Sequence, residues 1–342
     1  MIKFYNSNKY NNIRIVRAYN TKDLKYESVV LKGDHSGFYC YITNKDFNSR
    51  DIIKNIFSSG NLEQIKYLIE QKDFIWENKY FDEAAAKGNL ELVKFLHSIG
   101  APCTTDAMNL ASKNGHIEVV KFLHSIGAPC TTEAMDHASS RGHLEIVKFL
   151  HSISKKSTTK AMDWASCNGH IEIVQFLHSI GAPCTKWAMK WASEHGHLEV
   201  VKFLYSIGKD CKINEMDDAS YNGHLEVVKF LYSIGASCTT NAMNRASAKG
   251  HLEIVQFLHS IGKKCTKDAM NWASEYGHLE VVKFLHSIGA PCTTYAMDYA
   301  SSNGHLEIVQ FLNSIGAPCT TKAMDWASKN GRPDIVEFLK KI

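Results

Sequence analysis

The chain repeats itself at a fixed interval, and that interval restricts its fold more than any other feature. A Gly that opens a run such as GHLEVVKFLHSIG occurs at Gly88, Gly115, Gly142, Gly169, Gly196, Gly223, Gly250, Gly277, Gly304 and Gly331, always 27 residues apart. A degenerate earlier copy, GNLEQIKYLIE, begins at Gly60, 28 residues before Gly88. The array therefore occupies residues 46–342 in about eleven copies, preceded by a segment, 1–45, that does not repeat. Self-similarity of this kind marks architectures in which one small unit is stacked many times.

The unit at 131–157 displays the physics. With successive residues 100° apart, Ala134, Met135, Ala138 and Ser139 share one side of a short helix, while Glu133, His137 and Ser140 take the other. Thr131 or Thr132 supplies an N-cap, and Gly142 supplies the left-handed residue that ends the helix. A second helix starts near Leu144, where Ile146, Val147, Phe149, Leu150 and Ile153 form a wide apolar arc and Glu145, Lys148 and Ser152 stay in water. Most other copies close this helix with Gly-Ala-Pro, as at Gly127, Ala128 and Pro129. Helices this short are marginal alone, so neighbouring hairpins must bury each other's apolar sides.

The pattern A-M-D-x-A-S-x-x-G-H-L-E-V-V-K-F-L-x-x-x-G-A resembles the ankyrin repeat, T-P-L-H-x-A-A-x-x-G-H-x-x-V-V-x-x-L-L-x-x-G-A, throughout residues 46–342. The resemblance implies an all-α, ankyrin-type solenoid of stacked helix-turn-helix pairs that binds other proteins through its concave first-helix surface. Two departures stand out. The T-P-L-H tetrad is here Glu133-Ala134-Met135-Asp136, which removes the family's Thr-Pro helix opening and its internal His bonds. The period is 27 rather than 33, and the shortfall lies between Gly127 and Met135, where the family builds a projecting hairpin finger, so fingers are expected to be reduced or absent. Such shortened arrays in Asn- and Lys-rich chains resemble those of giant DNA viruses of amoebae.

Residues that suggest chemistry are largely explained by phase. Eight of the ten cysteines, from Cys103 to Cys319, share one repeat position, where adjacent copies lie too far apart for a disulfide. They read as small buried apolar residues. Of 17 histidines, eight follow the helix-ending Gly, from His116 to His305, and six sit late in the second helix, from His97 to His286. Both sets read as structural or surface groups, and His116 and His124, about 12 Å apart along a helix, cannot share a metal. The loop Gly33-Asp34-His35-Ser36-Gly37 reads as a turn, since adjacent residues do not face one another as a triad must. No enzyme, metal or cofactor is expected.

What differs between copies is more informative. Three positions on the exposed side of the first helix change freely: Lys160/Trp164/Cys167, Trp187/Trp191/Glu194, Asn214/Asp218/Tyr221, Asn241/Arg245/Ala248, Asp268/Trp272/Glu275, Tyr295/Tyr299/Ser302 and Lys322/Trp326/Lys329. Stacked in register they make a ladder holding five of the six tryptophans. Trp, Tyr and Arg dominate interface energetics, so Trp164, Trp187, Trp191, Arg245, Trp272, Tyr295, Tyr299 and Trp326 are the candidate partner-binding residues. Alternatively the rings lean on neighbouring helices and cover apolar surface left by the missing fingers. The repeated Glu145/Lys148 pair on the outer face carries solubility only.

One copy departs from the rest, with Glu215 where others bury Ala and Ile213 where most have a Thr. An unpaired buried carboxylate is costly, which predicts a soft point at 209–218 that divides the stack. In the first 45 residues, 13–19, 28–31 and 38–43 read as short strands around a turn at 32–37, a small β cap over the first copy. Arg332, Pro333, Asp334, Glu337, Lys340 and Lys341 make the last helix a polar lid.

Net charge is only +4 and spread over the array, which argues against nucleic acid. No apolar run approaches a membrane span, and MIKFYNSNKYNN lacks a secretory core. The expectation is a monomeric, intracellular scaffold, cytoplasmic or nuclear and in a host cell if viral, that binds another protein. The alternative is an effector or adaptor whose N-terminal segment acts while the array targets it.

Overall fold

The computed structural model describes residues 2–6, 13–19, 25–31, 40–42, 62–69, 77–210 and 213–341. The chain divides into two compact units, Met1–Ser157 and Thr158–Ile342. In the first, strands β1 (Ile2–Asn6), β2 (Ile13–Tyr19), β3 (Lys25–Leu31) and β4 (Cys40–Ile42) form an antiparallel sheet in sequence order, with Ile2 opposite Ala18 and Glu27 opposite Ile42. The turn expected at 32–37 and the Gly33 to Gly37 loop lie outside the described residues. After helix Leu62–Ile69 come three hairpins: Lys79–Ala86 with Leu90–Ser98, Thr105–Lys113 with Ile117–Ser125, and Glu133–Ser140 with Leu144–Ser152.

The second unit continues the same hairpin from Thr159–Cys167 with Ile171–Ser179 to Thr321–Lys329 with Pro333–Leu339. Within each unit, first helices pack on first helices of the adjacent copies and second helices on second helices. Most of the described hairpins contribute the same core, the last one less of it, since Met324 and Val336 are only half-buried. Ala134, Met135 and Ala138 meet Ile146, Val147 and Leu150, all at most 2% exposed. Small residues on the first helix let its neighbours approach closely, while branched residues on the second fill the space between layers.

The ends of the helices follow the sequence. Thr104, Thr158 and Thr185 accept from the backbone N–H two residues on. In the copy at 131–157 the capping oxygen belongs to Thr131, which accepts from the Glu133 amide at 3.3 Å; Thr132 makes no side-chain cap. Gly127 closes the second helix with φ of +71°, its N–H donating to the His124 carbonyl and that of Ala128 to the Leu123 carbonyl. Among the described residues the connections between hairpins, 99–104 for example, contain a turn but no strand, so the fingers are absent there. Ser154 occupies the Gly127 position one copy later and is the one non-glycine with positive φ, +61°, among the described residues.

Two expectations need correction. The half-buried cysteines are not core residues, and Cys319 is exposed; the position sits at the rim of the connection, where water reaches it. Glu215 is buried, 4% exposed, but it is not without an interacting group, so the unpaired carboxylate invoked for a soft point at 209–218 is not there.

Candidate interaction surface

The first helices are held in register by polar bonds between copies. In most copies, though not in the last, where Asp325 is exposed, the residue after the Met is itself buried, at 2% for Asp136, 5% for Asp163 and 4% for Asp217. Its carboxylate takes two bonds from the capping Thr of the next copy. Asp82 accepts from the Thr104 amide at 3.0 Å and hydroxyl at 2.6 Å, and Asp217 from those of Thr239 at 2.9 and 2.6 Å. Asn does the same work elsewhere: the Thr266 amide donates to Asn244 Oδ1 at 3.0 Å, and Asn244 Nδ2 donates to the Thr266 hydroxyl at 2.8 Å. Inter-copy bonding at this position is therefore replaced rather than lost along with the family's His. The signal was in the sequence as an Asp or Asn followed 22 residues later by a Thr. Where Lys190 stands instead of Asp, position 212 holds Lys instead of Thr.

A second tie uses the Gly-His pair. His116 Nε2 lies 3.1 Å from the Ala86 carbonyl, His197 Nε2 3.0 Å from that of Cys167, and His305 Nε2 3.0 Å from that of Glu275. The ring fills the space beside the preceding copy's glycine. A methyl on Gly115 would come within 2.6 Å of His143 Cε1. Burial, the main cause, lowers the pKa of His197, His224 and His278, and neighbouring imidazoles in the row add to the effect.

On this frame the ladder residues are set out as follows. Trp187 and Tyr295 are exposed, at 39% and 45%, while Trp164, Trp191, Arg245, Trp272, Tyr299 and Trp326 are half-buried. Trp187 stacks on Trp191 with centroids 5.3 Å apart. Tyr295, Tyr299 and Trp326 form a run of stacked rings, at 5.6 and 5.9 Å, that crosses from one copy to the next. Trp164 and Trp272 make neither of these ring stacks. Arg245 bridges copies, 3.3 Å from Asp218 and 4.3 Å over the Tyr221 ring. Part of the aromatic area is thus spent on inter-copy packing and part stays open.

The remaining groups are structural or solvated. The late second-helix set packs edge-on against Phe of the next copy, as His97 does on Phe122 at 5.9 Å and Tyr205 on Phe230 at 6.0 Å. Glu145 and Lys148 pair at 3.1 Å in water, as do Glu118 with Lys121 and Glu199 with Lys202 at 2.8 and 2.7 Å, and such pairs are worth a few tenths of a kcal/mol. Burial raises the thiol pKa of Cys130 and Cys292, against thiolate chemistry. Among the described residues no cluster of three His, Cys, Asp or Glu is arranged to hold a metal ion, and no helix is long and apolar enough to cross a membrane.

A family model described as ankyrin repeats (3 copies) matches residues 81–159, 108–189, 135–217 and 216–296, which together span more than half of the chain. No curated protein matches it in sequence. Among solved structures, the human ASB11 ankyrin repeat domain is similar, at 18% identity and a TM-score of 0.45, over 52% of this chain and 96% of that one. That family is typically a non-catalytic module for binding other proteins. With the hairpin unit, the Gly-His turn and the family match in agreement, the chain belongs to the ankyrin-repeat family.

Proposed function

We propose that this ankyrin-repeat chain is a non-catalytic scaffold that captures another protein on its first-helix face, the concave side in the family. The observation that supports this most directly is the open aromatic area at Trp187 and Tyr295, on a face whose helices are fixed by inter-copy bonds. Exposed rings on such a frame lose little entropy on docking. The reading takes the protein as a monomer acting inside a cell, in a host cytoplasm or nucleus if the shortened period reflects a viral origin.

Replacing Trp191 and Trp272 together by Ala is expected to weaken partner binding by at least about 2 kcal/mol with helical circular dichroism unchanged. Loss of fold in that variant would instead assign the rings to packing. A second reading gives the cellular effect to residues 1–45. It draws on the four-stranded sheet, a structure that shares nothing with the hairpin unit. Deleting that segment separates the two: retained binding with lost effect favours the second.

A further inference from the structure

Charge is unevenly distributed along the first-helix face of the second unit, and we infer that its stretch within residues 158–250 takes an extended acidic peptide. This rests on the reading above, that the face docks a protein, and adds the chemistry of what docks. Five cations lie on the solvent side of this stretch, Lys160, Lys186, Lys190, Arg245 and Lys249, against Glu194 and Asp218. The other carboxylates of these helices, Asp163, Glu215 and Asp217, are buried at 4–5% exposure, and Asp163 and Asp217 are each bonded to a Thr. Asp218 is already neutralised, 3.6 Å from Lys190 and 3.3 Å from Arg245, with its side chain 17% exposed. The stretch is therefore cationic to an incoming chain.

The cations are also held. Lys160 lies over Trp164 at 5.5 Å, Lys186 and Lys190 over Trp187 at 5.4 and 5.3 Å, and Arg245 and Lys249 over Tyr221 at 4.3 and 5.0 Å. A cation resting on a ring has lost part of its rotamer freedom before a carboxylate arrives, which lowers the ordering cost of the ion pair. On the next first helix itself, Lys267–Glu275, the acids Asp268 and Glu275 outnumber Lys267, although Lys263 and Lys264 precede it in the connection. From the copy of Trp164 to that of Arg245 is three steps of roughly 9 Å, about 27 Å, which an extended chain crosses in about eight residues.

A single-stranded nucleic acid fits less well. The rings it would stack on already have one another or a cation against a face, and a phosphate backbone needs a cationic track that Glu194 and then Asp268 interrupt.

The test selects phage-displayed random peptides of about twelve residues, longer than the span above, on the full chain. Selected peptides are then measured against Trp187→Ala with Trp191→Ala, against Lys186→Glu with Lys249→Glu, and against Lys229→Glu. That last residue pairs with Glu226 on the second-helix face. The expected result is enrichment of Asp and Glu, at least about tenfold weaker binding for the aromatic and the Lys186/Lys249 variants, and no change for Lys229→Glu. Circular dichroism checks that each variant is folded. Peptides that need Trp187 and Trp191 but are neutral or basic overturn the acidic inference and leave the docking face standing. Peptides that ignore those tryptophans, or none selected, overturn both. An oligothymidylate that competes with the selected peptides at equal affinity assigns the face to nucleic acid.

Discussion

The Asp163 carboxylate accepts from the Thr185 backbone N–H at 2.8 Å and from its hydroxyl at 2.7 Å, joining the middle of one first helix to the start of the next. One short polar side chain both caps a neighbour and fixes the register between copies, and it recurs along each unit. The buried position tolerates Asp or Asn, since both present an acceptor to the amide.

That tolerance sets the first expectation. Burial, opposed by the Thr bonds, raises the carboxyl pKa of Asp82, Asp163 and Asp298. A raised carboxyl pKa favours the folded state most when protonated. The contribution is complete below the ordinary value, about 3.9, and is lost as pH rises through the raised one. Asp163→Asn should therefore keep or raise the thermal midpoint at pH 7 and give no gain near pH 4. Asp163→Ala should cost about 1–3 kcal/mol. A midpoint lowered by Asn at pH 7 would contradict the account.

The histidine row titrates in the opposite sense. His278 Nε2 lies 3.1 Å from the Ala248 carbonyl, and its pKa is depressed chiefly by burial. A depressed imidazole pKa gives stability that is present above about 6.5 and is lost as pH falls through the lowered value. Thermal midpoints should drop on acidification from neutral pH, and His278→Gln should shrink the drop. An identical acid limb in wild type and variant would remove the histidine row as its cause.

Ser154 adopts a left-handed conformation at a position held by glycine in neighbouring copies such as Gly127 and Gly181. A side chain there costs roughly 1–2 kcal/mol. Ser154→Gly should raise stability by about 1 kcal/mol, and Gly181→Ser should lower it by a similar amount. Hydrogen exchange at the Ser154 and Lys155 amides, which donate to the His151 and Leu150 carbonyls, provides the local readout.

Among the described residues seven buried Ser hydroxyls, Ser166 among them, have no hydrogen-bond partner, whereas Ser247 Oγ donates to the Met243 carbonyl at 2.8 Å. Removing an unsatisfied buried hydroxyl relieves a desolvation cost. Ser166→Ala is expected to stabilise by up to about 1 kcal/mol, and Ser247→Ala to gain less or lose. Equal effects in urea unfolding would mean that the seven hydroxyls are satisfied in solution.

The hairpin, its caps and its core were legible in the sequence because they are local. Spacing within one unit puts Met135 and Ala138 on one side of a helix, and Gly142 can end that helix only because of its own backbone freedom, at φ of +83°. The repeat itself follows from the same logic, since no copy can bury its apolar face alone. Partnerships between copies depend on what the neighbour presents, and only tertiary structure decided those. Asp136 falls next to the apolar stripe, at a position where an Asp or Asn recurs; a polar side chain does not by itself announce burial, yet it is buried at 2%. The ring of His143 is placed by a glycine in the preceding copy. The ladder shows the same split. Its positions were countable along the chain, but stacking across copies determined that Tyr299 and Trp326 cover one another while Trp187 and Tyr295 stay open to solvent.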